Sequence, residues 1–76
     1  MIDVYSFEVG VTYTVAKDFI DFYGNKFSRG EKLIYNERQF LPYDGGHTIV
    51  FKERNLYLQE QENKNVLDSL SDYFYS

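Results

Sequence analysis

The chain has 76 residues, 20% of them aromatic and none of them cysteine, and its formal net charge at pH 7 is -4. This length predicts one domain over residues 1–76, with a core that must be dense because a small domain buries little surface. The lack of cysteine excludes disulfides and thiolate metal sites, and the negative charge disfavours nucleic-acid binding. No segment resembles a signal peptide or a membrane span, so we expect a soluble, cytoplasmic protein with no membrane partner and no cofactor.

The first predicted strand covers residues 11–16, VTYTVA, because its side chains alternate with the period of two that a half-buried strand needs. Residues 1–6 are predicted to form an N-terminal tail. Residues 17–30 are ambiguous: Phe19, Phe22 and Tyr23 have the spacing of a short helix, yet Gly24 and Gly30 interrupt the segment. We favour a long loop pinned to the barrel by its aromatic residues, with a helical turn at residues 17–22 as the alternative.

Four further strands are predicted, at residues 31–35, 39–43, 47–52 and 56–60. The sequence Asp44-Gly45-Gly46 has the composition of a tight hairpin turn that needs positive φ. Pro42 cannot donate a backbone hydrogen bond, so it is expected at a strand edge or bulge beside that turn. The barrel is therefore predicted to span residues 7–62.

The spacing of apolar residues changes after residue 62 and predicts an amphipathic helix over residues 63–75. Asn63 or Asn65 is placed to cap this helix. Such a short helix is unstable alone, so its apolar stripe must dock on the barrel or on another subunit. The stripe consists of Val66, Leu67, Leu70, Tyr73 and Phe74.

The order of elements resembles a small SH3-like barrel, which implies a mostly β fold of about five strands with a C-terminal amphipathic α-helix. Peptide-binding SH3 domains bind proline-rich ligands with a tryptophan pair. This chain has no tryptophan. The resemblance therefore extends to topology and does not imply recognition of proline-rich ligands.

Four short patterns, spread over residues 7–73, resemble a family of short bacterial proteins that is catalogued as a domain of unknown function. The patterns are Gly10-x-x-Tyr13-x-Val15, Phe19-x-Asp21-x-x-Gly24, Gly30-Glu31-x-Leu33, and Phe40-Leu41-Pro42-Tyr43-Asp44-Gly45-Gly46 followed by Leu58-Gln59. The FLPY-acidic-Gly element is the most specific of them. The resemblance implies a bacterial origin and a fold, and it carries over no catalytic residue.

His47 is the only histidine and follows Tyr43 and Asp44 closely. The sequence leaves two interpretations: a general base or ligand-binding group, or a residue with a structural role at the turn. A metal site usually needs three or four ligands, and neither a second histidine nor a cysteine exists. No serine lies in a G-x-S-x-G motif. We favour a structural role for His47 and expect no enzyme; a small enzyme using His47 and Asp44 is the least favoured alternative.

The surplus of aromatic residues gives the stronger functional hypothesis. The SH3-like topology would bring Tyr23 and Tyr43 together beside Asp21 and Asp44, in one aromatic and acidic groove near His47. Tyrosine is favoured at interfaces because it combines rigid area with a polar tip. We therefore predict a protein-interaction module that binds a basic or aromatic peptide there; the alternative is that these rings only cover the edge of the core.

A second hypothesis is a homo-oligomer, most simply a homodimer, whose interface is formed by Tyr73, Phe74 and Tyr75 with residues 1–7. Under this hypothesis the protein has a structural or regulatory role. Glu60 and Glu62 would share a face if the last strand continued; we expect them instead to be solvated at the junction between that strand and the helix.

Overall fold

A computed structural model describes residues 6–43 and 45–76, so most of the predicted tail and Asp44 lie outside the described residues. Its elements are β1 (Thr12–Val15), β2 (Phe19–Ile20), β3 (Lys26–Phe27), β4 (Lys32–Leu41), β5 (Gly46–Phe51), β6 (Asn55–Gln59), α1 (Lys64–Asp68), α2 (Leu70–Tyr73) and β7 (Phe74–Tyr75). Neither α1 nor α2, the helices of this described part, has the length and apolarity needed to cross a membrane.

Five strands form one antiparallel sheet in the order β6-β5-β4-β1-β7, and β2 pairs with β3 in a separate two-stranded sheet. The prediction of a small, mostly β domain is confirmed. Within the described residues, β6 and β7 lie at opposite edges of the sheet and do not pair. The sheet is therefore open, where the sequence predicted a closed barrel.

The central strand β4 merges two predicted strands, because residues 31–35 and 39–43 belong largely to one continuous strand. A register shift against β5 between Tyr35 and Glu37 marks a β-bulge, which lets the strand bend without ending. The predicted hairpin is confirmed: Leu41 pairs with Gly46 across a turn in which Gly45 has φ of 69°. Pro42 lies just after the last residue of β4, where strand pairing does not need a backbone N–H donor.

Residues 19–27 of the segment 17–30 form a short β-hairpin in which β2 pairs with β3, so the predicted helical turn at residues 17–22 is wrong. The chain folds back and is held by buried aromatic residues, as predicted for the long loop, but it does so through two paired strands. Phe19 pairs with Phe27 across the hairpin, and their rings stack with centroids 5.1 Å apart. Both side chains are buried. The hairpin places Phe19 and Phe27 opposite each other on the buried face, whereas a helical turn would have placed Phe19 on the same face as Phe22 and Tyr23, which are exposed.

The C-terminal helix is shorter than predicted and is divided at Ser69 into α1 and α2. The predicted apolar stripe does face inward, with Val66, Leu70 and Phe74 buried. The last part of the range 63–75 is nevertheless a strand: Phe74 pairs with Val15 of β1. The extended backbone carries the Phe74 ring into the core, where it packs against three other aromatic rings, Phe7, Phe19 and Phe51.

The proposed capping role of Asn63 is not observed. Asn63 occupies the position before α1, but its side chain makes no capping hydrogen bond. Its Oδ1 instead accepts a hydrogen bond from the backbone N–H of Gln59, at 2.9 Å. Asn63 therefore joins the start of the helix to the end of β6.

Candidate functional site

A groove of about 740 Å³ lies where three connections of the fold meet. These connections are the β2–β3 turn, the β4–β5 turn and the segment between β6 and α1. The residues that line it are Phe22, Tyr23, Pro42, Tyr43, Gly45, Gln59, Glu60, Gln61, Glu62 and Lys64. We refer to this site as the tyrosine groove.

Tyr23 and Tyr43 face solvent in this groove, and the structure brings them to the same site as the sequence predicted. Tyr43 is 99% exposed and Tyr23 is 67% exposed. The Tyr23 ring contacts the rings of Phe22 and Tyr57 edge-on, at centroid distances of 5.1 Å and 4.9 Å. Tyr23 is thus held in place on one wall, whereas the Tyr43 side chain is almost fully accessible on the other.

Asp21 does not contribute its carboxylate to the groove, because the fold uses that group internally. Asp21 is only 4% exposed. Its Oδ1 accepts hydrogen bonds from the backbone N–H groups of Tyr23 (3.0 Å) and Asn25 (2.9 Å). Its Oδ2 accepts from the Asn25 side-chain amide (3.2 Å) and from the Tyr57 backbone N–H (3.3 Å). Asp21 therefore fixes the loop that carries Tyr23 onto the edge of β6.

Among the described residues, the acidity of the groove comes from Glu60 and Glu62, which the sequence assigned to the solvated junction before the helix; the predicted Asp44 lies outside the described residues. Lys64, the one basic residue of the described lining, forms an ion pair with Asp68 at 3.0 Å. The Glu60 side chain lies against Gly45, where an added Cβ would stand 3.0 Å from Glu60 Oε1. The two-residue spacing of the glutamates indicated that they could share one face. Their proximity to the β4–β5 turn could not be predicted, because it depends on how the chain folds.

His47 lies beneath the groove and is 6% exposed. Its ring packs on Phe40, with the centroids 4.7 Å apart. A cavity of about 40 Å³, which we call the His47 pocket, adjoins the ring and shares Phe22, Tyr23 and Gln59 with the tyrosine groove. Within the described parts of the chain, no cluster of three His, Asp or Glu side chains could hold a metal ion.

The pKa of His47 is lowered from its usual value near 6.5, chiefly because burial disfavours the charged imidazolium. The nearby Glu60 carboxylate opposes this shift, and the Arg38 guanidinium adds to it. The imidazole is therefore neutral at pH 7. A neutral, buried ring is consistent with the structural role that the sequence favoured and leaves its ring nitrogens available for hydrogen bonding.

The lowered pKa of His47 predicts that acid destabilises the domain. The unfolded chain binds a proton at higher pH than the folded chain, so this contribution to stability is complete above about pH 6.5 and is lost as pH falls below it. Urea unfolding at about pH 7.5 and about pH 5.5 should give a lower free energy of unfolding at the acidic value. His47→Gln should reduce this difference; an unchanged difference in the variant would contradict the assignment to His47.

The interface predicted for a homo-oligomer is mostly turned inward. Phe74 and Phe7 are buried, and Tyr73 is partly buried. Of the predicted aromatic residues at the C-terminus, Tyr75 is the exposed one. Residues 1–5 of this hypothesis lie outside the described residues. Phe7 and Phe74, which the sequence assigned to a subunit contact, instead belong to the core of one chain, and Tyr73 packs against that core.

The outer edge of β6 is already occupied by other parts of the chain. The Tyr57 N–H donates to Asp21, and the Tyr57 carbonyl accepts from the Phe22 N–H at 2.8 Å. The Gln59 N–H donates to Asn63. An added strand would have to displace these hydrogen bonds, so β6 is a poor site for strand addition.

No protein-family model matches the chain, and no curated protein sequence matches it. Among solved structures, an integron cassette protein from the mobile metagenome of Vibrio cholerae is similar to this chain, with a TM-score of 0.86 and 23% sequence identity. The match covers 91% of this chain and 86% of that chain. The similarity therefore extends over nearly the whole of both chains, and it establishes a shared fold.

Proposed function

We propose that the protein is an interaction module that binds an extended, basic segment of a partner protein in the tyrosine groove. The observation that carries this proposal is the pair of exposed tyrosines, Tyr23 and Tyr43, which line one groove from two different turns together with Glu60 and Glu62. Rigid aromatic rings with polar tips are the residues that most often anchor peptides and proteins at interfaces.

The charges of the groove favour a basic occupant. Glu60 and Glu62 line it, and the positive charge of Lys64 is partly neutralised by Asp68. The whole chain carries a net charge of -4, which steers cations toward it. Lysine and arginine side chains also pair with tyrosine faces through cation–π contacts. A segment with alternating basic and aromatic residues can therefore pair with the carboxylates and also pack on the tyrosine rings.

The mode of binding is placement across the groove rather than extension of the sheet at β6. The hydrogen-bonding groups of that edge are engaged by Asp21, Phe22 and Asn63. Asp21 also fixes the loop that carries Tyr23, so one wall of the groove needs no rearrangement to bind. A preformed wall lowers the entropy lost on binding, which suits a ligand that is itself extended.

Tyr43→Ala should weaken peptide binding at least about tenfold, because truncation of an interface anchor removes most of its contact area. The measurement is fluorescence anisotropy with a library of ten-residue peptides that vary in the positions of lysine and aromatic residues. Tyr75→Ala is the matched control, since Tyr75 is an exposed tyrosine outside the groove lining. Tyr43→Ala should unfold at the same urea concentration as the wild type, because its side chain is 99% exposed, and Tyr75→Ala should be destabilised by less than about 1 kcal/mol.

Equal affinity of the wild type and Tyr43→Ala for every peptide would contradict the proposal. A wild type that binds no peptide and scatters light as a dimer would favour the homo-oligomer instead. One observation supports that alternative: Phe40 and Leu41, two large apolar side chains at the end of β4, are exposed.

A further inference from the structure

The His47 pocket lies at a gap between the side chains of the five-stranded sheet. Gly46 of β5 pairs with Leu41 of β4 on one side and with Gln59 of β6 on the other. Residues that pair directly across antiparallel strands project to the same face, and so do residues two apart on one strand. Gly46 therefore stands between Leu41 and Gln59, and beside Thr48, with no side chain of its own. All four residues line the pocket.

The backbone at this position does not call for glycine. Gly46 belongs to a strand that pairs with both of its neighbours, and any residue adopts such an extended conformation. Glycine weakens a strand, and a glycine within one often marks a place where another group approaches closely. The gap at Gly46 adjoins the tyrosine groove, because Phe22, Tyr23 and Gln59 line both cavities. A peptide in the groove is therefore within reach of the gap.

The volume of the pocket limits the group that it can hold. One water molecule needs roughly 10–15 Å³ of such volume, so about 40 Å³ accommodates about three heavy atoms. A valine side chain has three carbon atoms beyond Cα, whereas alanine has one and leucine has four. Valine therefore matches the pocket, alanine fills it only in part, and leucine or an aromatic side chain is too large.

The walls of the pocket favour an apolar group over a polar one. They include one aliphatic and three aromatic residues, Leu41, Phe22, Tyr23 and Tyr57. The Tyr57 N–H already donates to Asp21, and the Tyr57 carbonyl accepts from the Phe22 N–H. The Gln59 N–H donates to Asn63. A hydroxyl or amide group entering the pocket would lose hydrogen bonds to water and find these partners engaged, whereas a hydrocarbon group has no such bonds to lose.

We propose that the His47 pocket receives a valine side chain of the bound partner segment, seated over Gly46. This inference rests on the proposed function of the tyrosine groove. It adds sequence selection to that function: basic residues of the segment contact the groove, and a valine beside them fixes the position of the segment along it. Because Gly46 supplies the space, a side chain at position 46 should close this subsite.

The first experiment measures the selectivity in solution. Each position of the best-binding basic peptide is replaced in turn by alanine, valine, threonine and leucine, and binding is followed by fluorescence anisotropy. At one position valine should bind about tenfold more tightly than alanine, because two more methyl groups are buried, and also more tightly than threonine or leucine. Binding that depends on Tyr43 but shows no valine preference at any position would retain the groove and overturn the inference.

Two variants place the selectivity at the gap. Gly46→Ala puts a methyl group into it and should remove most of the advantage of valine without a comparable loss for the alanine-substituted peptide. Leu41→Ala removes part of one wall and should shift the preference toward leucine. Leu41 is 56% exposed, so this second variant should fold even if Gly46→Ala is destabilised. A valine preference that neither variant changes would lie elsewhere on the protein and would overturn the inference.

The pocket can also be tested in the full chain without a peptide. The probe is N-acetyl-valinamide, with N-acetyl-glycinamide as the control, at equal millimolar concentrations. The valine probe should shift the backbone amide resonance of Thr48 in a ¹H–¹⁵N NMR spectrum of the wild type, and it should shift it less in Gly46→Ala. Equal spectra with the two probes would mean that water alone occupies the pocket and would overturn the inference. A valine-specific shift without any peptide binding would support the pocket and contradict the groove.

Discussion

Asp21→Ala is expected to lower the free energy of unfolding by about 3 kcal/mol. The substitution leaves the backbone N–H groups of Tyr23, Asn25 and Tyr57 without their carboxylate acceptor. Hydrogen bonds to a charged group are stronger than neutral ones, and a buried donor left unpaired retains its full desolvation penalty. The loop that carries Tyr23 also loses one of its two hydrogen bonds to β6 and keeps only the bond from the Phe22 N–H to the Tyr57 carbonyl, so peptide affinity should fall together with stability.

Urea unfolding followed by circular dichroism measures the effect, with Asp68→Ala as the control. Asp68 is exposed and pairs only with Lys64 one helical turn away, so its removal should change the free energy of unfolding by less than about 0.5 kcal/mol. Asp21→Asn keeps two of the acceptor sites and should fall between the wild type and Asp21→Ala. If Asp21→Ala were as stable as Asp68→Ala, Asp21 would not anchor the loop.

Phe74→Ala is expected to lower the free energy of unfolding by about 4 kcal/mol, which is enough to unfold much of a marginally stable domain. The Phe74 ring is 0% exposed and contacts the rings of Phe7, Phe19 and Phe51. Its truncation would leave a cavity among these rings, which can fill that space only in part.

The neighbouring residue provides the control for this prediction. Tyr75 is 54% exposed and lies on the opposite face of β7, so Tyr75→Ala should cost less than about 1 kcal/mol. Urea midpoints of the two variants give the comparison directly. Equal losses would contradict the strand assignment of residues 74 and 75, because only a strand places successive side chains on opposite faces.

The strands that the sequence predicted best are those with local signals. Alternation fixed the inward faces of β1 and β6, and the Asp44-Gly45-Gly46 composition predicted the β4–β5 hairpin. The pairing of β2 with β3 was missed because two-residue strands leave almost no periodicity to detect. The end of the helix was misplaced because Phe74 fits the apolar stripe of a helix as well as it fits the inner face of β7.

The candidate site was also predictable only in part, because only some of its features leave a signal in the sequence. Exposure of Tyr23 and Tyr43 followed from an excess of aromatic residues over what a small core can bury. The roles of the carboxylates did not follow, because a buried anchor such as Asp21 and a surface acid such as Glu60 look alike in sequence. Only the position of each side chain relative to unpaired backbone N–H groups distinguishes them.

The bulge in β4 has a consequence for where the tyrosine groove can form. It separates the part of β4 that pairs with β1, residues 32–34, from the part that leads into the β4–β5 turn. A bulge bends a strand and increases its local twist, so it changes the direction in which this end of the hairpin leaves the core. The position of Tyr43 therefore depends on an irregularity of the strand that lies outside the groove lining.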